Sequence, residues 1–185
     1  MGTVLLGVSG SVAAYKAIDL AHRLTQAGWA VDVVLTAAAR RFVTALTFQS
    51  LTGRPVLSDQ FEVVDPSEIL HVDLARRADL ALLAPATADL IGQLAHGLAP
   101  DLLTSAMLAW RGQPVILAPA MNTAMWEHQL VQANLRRLTD LGYDLVEPRV
   151  AALACGEVGR GALASLDQIM ARVEARVGRP DGTAA

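Results

Sequence analysis

Five short apolar runs, each leading through a turn into an amphipathic stretch, limit what this 185-residue chain can fold into. They fall at residues 4–8, 30–35, 80–84, 114–118 and 143–146. None alternates apolar with polar side chains, so each reads as a strand buried on both faces. A parallel sheet makes that demand, because its crossover helices cover both of its sides. The amphipathic stretches supply those helices: 12–26, stopped by Ala27 and Gly28; 38–48; 88–95; 101–110; 123–141, stopped by Gly142; and 165–177, with Ser165 as its cap. The pattern predicts one α/β domain over residues 1–177, with the strands at 80 and 114 ended by Pro85 and Pro119. Residues 52–68, with Gly53, Pro55 and Pro66, read as irregular, 147–164 as a glycine-rich loop, and 178–185 as a disordered tail.

Composition narrows the functional classes. Hydrophobic residues make up 53% of the chain and charged residues 18%, which is apolar for a soluble monomer and points to surface covered by a partner subunit. The net charge of −3 and the lack of any basic block exclude nucleic acid as an expected partner. No segment approaches the ~18 consecutive apolar residues of a membrane span, and the N-terminus has no cationic start of the secretory kind. The one cysteine excludes an intrachain disulfide and fits a reducing cytoplasm.

Ligands of open parallel sheets lie beyond the carboxyl ends of the strands, so the strand exits carry the chemistry. The first exit, Gly7-Val8-Ser9-Gly10-Ser11-Val12, sets hydroxyls and small backbones before a helix N-terminus, a setting for phosphate. It is neither G-x-G-x-x-G nor a P-loop. The second places Thr36 where a dinucleotide enzyme has an acid, with Arg40 one turn on. That favours a mononucleotide phosphate over NAD. Ser9, Ser11 and Thr36 are equally the kind of residue that caps a helix.

The third and fourth exits, Pro85-Ala86-Thr87-Ala88 and Pro119-Ala120-Met121-Asn122, turn at proline and leave room for a flat ring. Asn122 could hold a carboxylate without protonating it, or cap the following helix. His71, in Ile69-Leu70-His71-Val72-Asp73-Leu74, is the imidazole nearest these loops; a structural role is the plainer reading. No His pair has metal-ligand spacing, and no metal is expected. Cys155 stands in Ala154-Cys155-Gly156-Glu157-Val158-Gly159-Arg160-Gly161, a setting for a reactive thiol rather than a packed one.

Together these residues resemble the homo-oligomeric flavin-containing cysteine decarboxylases over about residues 3 to 175. The likeness rests on Gly7 to Ala14, Leu70 to Leu74, Ala84 to Ala88, Pro119-Ala120-Met121-Asn122-Thr123-Ala124-Met125-Trp126 and Ala154-Cys155-Gly156, in that order. The resemblance implies a Rossmann-like (flavodoxin-like) sheet, FMN seated at the contact between subunits, and a homotrimer or a homododecamer built from trimers. It implies decarboxylation of 4′-phosphopantothenoylcysteine to 4′-phosphopantetheine, a step of coenzyme A biosynthesis. By the same likeness, Ser9, Gly10, Ser11 and Thr36 would face the FMN phosphate. Pro85, Ala86, Thr87, Ala88 and Ala120 would line the ring, joined by Ser105 and Met107. His71 would orient substrate and move a proton, Asn122 would hold the departing carboxylate, and Cys155 would donate a proton late in the cycle. Another flavoprotein of this fold, a peptidyl-cysteine decarboxylase or a flavin reductase, is the alternative; Cys155 and Asn122 argue against it. Pro100 departs from the polar residue such proteins tend to have. Many bacterial members carry a second domain that makes the substrate, an activity expected here on a separate protein unless this sequence is a fragment.

Overall fold

The computed structural model describes residues 2–61 and 69–178. Six parallel strands form one sheet: β1 (Thr3–Val8), β2 (Ala30–Leu35), β3 (Val56–Leu57), β4 (Leu80–Ala86), β5 (Val115–Pro119) and β6 (Asp144–Leu145), in the order β3-β2-β1-β4-β5-β6. β1 runs beside β2 from Thr3 opposite Ala30 to Val8 opposite Leu35, and beside β4 from Val4 opposite Leu80 to Gly7 opposite Leu83. The chain moves outward from β1 in one direction and from β4 in the other. The two central strands therefore part at their carboxyl ends, where such sheets hold ligands.

Alternate residues of β1 feed two cores. Val4, Leu6 and Val8 pack with Leu20 and Leu24 of α1 (Tyr15–Gln26), Phe48 of α2 (Ala45–Thr52), and Ile169 and Val173 of the C-terminal helix (Leu166–Val177). Leu5 faces the other way. It joins Leu74 of α3 (Leu70–Arg77), Ile91 of α4 (Ala88–Ala95), Leu103 of α5 (Leu102–Leu108) and Leu138 of a helix over Gln129–Asp140. Ser165 caps the C-terminal helix as expected, accepting from the Gln168 backbone N–H. Among the described residues, no helix is long and apolar enough to cross a membrane.

The sheet's one buried carboxylate is Asp32, in mid-β2. Its two oxygens accept from Arg54 Nε at 2.7 Å and Arg77 Nε at 2.6 Å, so the approach to β3 and the end of α3 are both tied to the same side chain.

Several local expectations need correction. The helix expected over 38–48 is a single 3₁₀ turn (Ala39–Arg41) followed by a break, and α2 starts only after Thr44, which is extended. The 12–26 helix likewise opens with a 3₁₀ turn, Val12–Ala14, before α1. Within the 52–68 stretch, Val56 and Leu57 add an edge strand to β2; residues 62–68, Pro66 among them, lie outside the described residues, as does the tail from 179. β4 does not stop at Pro85. The Pro85 carbonyl accepts from Ser9, and Ala86 pairs with Pro119 after a shift of register, so the missing proline N–H is absorbed by an irregularity.

The helix expected over 123–141 is two: α6 (Thr123–Glu127) and α7 (Gln129–Asp140). His128 between them is extended, and its Nδ1 accepts from the Leu130 N–H, so it caps the second helix. The 147–164 loop is an antiparallel hairpin of β7 (Arg149–Ala152) and β8 (Val158–Ala162). The C-terminal helix is α8.

Candidate functional site

The exits of β1 and β4 are fastened together by Ser9. Its buried hydroxyl donates to the Pro85 carbonyl at 2.7 Å and accepts from the Thr87 N–H at 2.9 Å. Gly10 is required by a close approach. A Cβ there would lie 2.4 Å from the Ala38 methyl, because the turns after β1 and β2 touch. Beyond these turns opens a cavity of about 500 Å3. Ser9, Gly10, Ser11, Thr36, Thr87, Ala88 and Ala120 all line it, which brings together seven of the eleven residues expected to hold the cofactor.

Its hydroxyls have a shared chemistry. Ser11 Oγ accepts from the Ala13 N–H, Thr36 Oγ1 from the Ala39 N–H and Thr87 Oγ1 from the Leu90 N–H. Ser11, as the plainer reading had it, and Thr87 are thus helix caps, while Thr36 braces the turn ahead of the 3₁₀ turn that Ala38 opens. Each also keeps an O–H that donates to nothing among the described residues. Three free donors suit a ligand whose oxygens only accept. Ser9 differs, because its own hydrogen is already committed to Pro85; it builds the wall.

A second cavity of about 360 Å3 shares Ser11, Ala120 and Met121 with the first. The hairpin forms its far side. Gly161 seats that hairpin: its carbonyl accepts from the Met121 N–H at 2.9 Å, and a Cβ on it would meet the Met121 carbonyl oxygen at 2.2 Å. Gly159 lies equally close over Thr123, whose buried hydroxyl has no partner. The hairpin tip carries exposed Cys155 over the cavity. Asn122 meets it there, its Nδ2 3.4 Å from Cys155 Sγ, while its Oδ1 accepts from the Ala124 N–H and caps α6. The capping reading of Asn122 is met, and its Nδ2 is left facing the cavity.

Lys16 lines the same cavity, and no carboxylate among the described residues is paired with it. Burial, and then the like charge of Arg149, lower its pKa from the usual lysine value. Arg160, by contrast, is engaged with Glu147 at 3.2 Å.

The remaining expected residues lie apart from these two cavities. Pro85 and Ala86 complete β4, with Ala86 buried beneath the turn. Ser105 donates to Gln60 Oε1 and to the Ala99 carbonyl. Met107 is in the core and borders a different cavity, at the amino ends of β5 and β6, so its expected place beside the ring is corrected. His71 is half-buried in the first turn of α3 and lines neither cavity. Sequence reasoning missed Lys16, Met121, Met125, Asp89 and Gln93, all of which line the two cavities. Lys16 had a signal in hindsight, as a lone cation one turn beyond the Ser9-Gly10-Ser11 exit.

A family model described as Flavoprotein matches residues 2–178. The chain is 48% identical over 172 residues to a "Probable phosphopantothenoylcysteine decarboxylase" of Streptococcus mutans serotype c, covering 92% of this chain and 96% of that protein. It is 47% identical to the "Coenzyme A biosynthesis bifunctional protein CoaBC" of Bacillus subtilis over 92% of its own length, but spans only 42% of that longer protein. Among solved structures it resembles a cysteine-to-serine variant of a PPC decarboxylase complexed with pantothenoylaminoethenethiol, with a TM-score of 0.85, 34% identity, and coverage of 94% and 97% of the two chains. It also resembles "The FMN binding protein AtHal3", with a TM-score of 0.83, 33% identity, and coverage of 100% and 99%. With sequence, fold and cavity in agreement, the chain belongs to the Flavoprotein family, among the relatives of phosphopantothenoylcysteine decarboxylase.

Proposed function

We propose that this chain decarboxylates 4′-phosphopantothenoylcysteine to 4′-phosphopantetheine, with FMN as cofactor, in coenzyme A biosynthesis. The observation that carries the reading is Asn122 Nδ2 at 3.4 Å from Cys155 Sγ, on the rim of a cavity that shares Ser11, Ala120 and Met121 with the hydroxyl-lined one. A carboxylate holder and a proton donor thus face a single space. The names of the relatives point to the same substrate.

The donor set of the larger cavity fits FMN. Ser11, Thr36 and Thr87 offer free O–H groups to a phosphate, and the small side chains of Ala88 and Ala120 leave room for a flat ring. When bound there, FMN supplies reversible oxidation of the substrate's CH2–S unit, the electron sink that loss of CO2 from a cysteine amide requires. The chain's own residues do the rest. The Asn122 amide donates to the substrate carboxylate and, being neutral, never protonates it. Cys155 gives a proton to substrate carbon. The hairpin tip over the cavity keeps water from the reacting atoms. Lys16, a cation paired with no carboxylate among the described residues, takes the substrate phosphate.

His71 enters through assembly. It lines neither cavity of its own chain, while Val12 and Tyr15 beside the smaller cavity and Val150 and Val158 on the hairpin are all more than half exposed. A homotrimer, or a dodecamer of trimers, would cover that apolar rim and bring His71 of one copy to the site of the next. The working thiol, free and exposed, suits a reducing cytoplasm.

The test is direct. Purified protein reconstituted with FMN should be yellow and should release CO2 from 4′-phosphopantothenoylcysteine. Protein that stays colourless, or that binds flavin and yields no CO2, overturns the reading.

A further inference from the structure

Decarboxylation of a carboxylate takes up one proton per turnover. The bond from carbon to the carboxyl group breaks, its electron pair stays on carbon, and a C–H bond forms in its place. If Cys155 supplies that proton its S–H bond breaks, and the thiolate left behind must be reprotonated from water before the next cycle. The route for that return is what the hairpin tip shows.

Among the described residues, Cys155 Sγ has two polar neighbours. Asn122 Nδ2 can only donate to it. The other is Glu157, whose Oε2 lies 3.7 Å from the sulfur, and a carboxylate can only accept. The thiol hydrogen therefore points at Glu157. Glu157 and Cys155 are both exposed, so the carboxyl group exchanges protons with water beside the sulfur. The pair is also fixed as a unit. The Leu153 N–H donates to the Glu157 carbonyl at 2.8 Å, and the Gly156 N–H donates to the Leu153 carbonyl at 2.9 Å, closing the tip around Cys155. Asn122 stands on the turn after β5 and would lose the sulfur if the hairpin moved. Glu157 would travel with it.

We infer that Glu157 is the proton-return residue of this site: its carboxyl group takes a proton from water and passes it to the Cys155 thiolate between turnovers. The O–H bond of the carboxyl breaks as the S–H bond forms, and the carboxylate is recharged by solvent. Glu157 acts through Cys155 and need not touch substrate. This rests on the decarboxylase reading.

The role predicts a kinetic signature that a merely structural residue would not give. Each enzyme molecule starts with Cys155 protonated, so Glu157→Gln should complete its first turnover of 4′-phosphopantothenoylcysteine within about twofold of the wild-type rate. Later turnovers should fall about tenfold or more, giving a burst of one 4′-phosphopantetheine per site in rapid-quench experiments, and Glu157→Asp should restore the steady rate. A second readout needs neither substrate nor cofactor. Cys155 is the only thiol, so its alkylation by iodoacetamide is unambiguous. The Cys155 thiol donates to Glu157 Oε2 at 3.7 Å, so Glu157→Gln, which replaces the charged acceptor by a neutral amide, should speed alkylation about fivefold. Equal slowing of first and later turnovers, no slowing at all, or an unchanged alkylation rate overturns the inference. A wild-type protein that releases no CO2 instead overturns the decarboxylase reading, and the alkylation result still reports on the Cys155–Glu157 pair.

Discussion

Replacing Asn122 by aspartate separates the structural use of that side chain from its chemical one. The Oδ1 atom accepts from the Ala124 N–H at 2.8 Å and caps α6; the Nδ2 atom faces Cys155 and the cavity. Aspartate caps as well as asparagine does. What changes is the other half, where a neutral donor becomes a negative charge at the place proposed for the substrate carboxylate. Two unit charges about 4 Å apart repel by about 1 kcal/mol in water and about 4 kcal/mol at the effective dielectric of a protein surface. The site is half-buried and open at the hairpin, so a value near 2 kcal/mol is expected, which is about a thirtyfold rise in KM. Thermal melting of Asn122→Asp should match wild type to within about 1 °C, because the cap survives. Asn122→Ala is the converse control. It loses the cap, about 1 kcal/mol and about 2–4 °C in a chain of this size, but adds no repulsion, so its KM should rise less. Steady-state kinetics and a melting curve on the two variants suffice. An aspartate variant with wild-type KM and wild-type melting temperature would refute the placement of the carboxylate at Asn122.

Two further outcomes are expected. Lys16 has a lowered pKa in the fold, so its ammonium form opposes folding at neutral pH and that penalty fades as pH rises through the lowered value. Lys16→Met should therefore melt higher than wild type at pH 7 in cofactor-free protein, with the gain shrinking in alkali, while KM for the phosphorylated substrate rises about tenfold; a lower melting temperature at pH 7 contradicts the electrostatic argument. Gly161→Ala drives a methyl into the Met121 carbonyl oxygen at a backbone φ of 156°, and should cost about 2–4 kcal/mol, or roughly 5–10 °C, through unseating of the hairpin. Calorimetry showing an unperturbed melt would mean the seam between hairpin and turn contributes little.

The sheet was legible because its strands are apolar on both faces: Leu5 and Leu6 point into different cores, and a parallel strand leaves no polar alternative. The strand exits were legible for the same reason, since Ser9, Thr36, Thr87 and Asn122 are the first polar side chains after buried runs. Interruptions were not. His128 breaks a helix by capping the next one, and nothing in its spacing distinguishes a capping histidine from an exposed one. The hairpin reads as a loop because the glycines at 159 and 161 depress strand propensity. They are needed for contact with Thr123 and Met121, which are distant in sequence. His71 stood among motif residues, yet it lines neither cavity of the chain, and nothing in the apolar pattern around it carries that distance.

Asp32 gives the fold a further property. Arg54 and Arg77 are 23 positions apart in sequence but end on the same carboxylate, so the intervening chain leaves and returns to one knot on β2. Lengthening a loop whose ends are already held costs little, about 0.6 kcal/mol per doubling. Homologous sequences should therefore vary in length between β3 and α3 more readily than within either element, since both are tied to Asp32 and to the core.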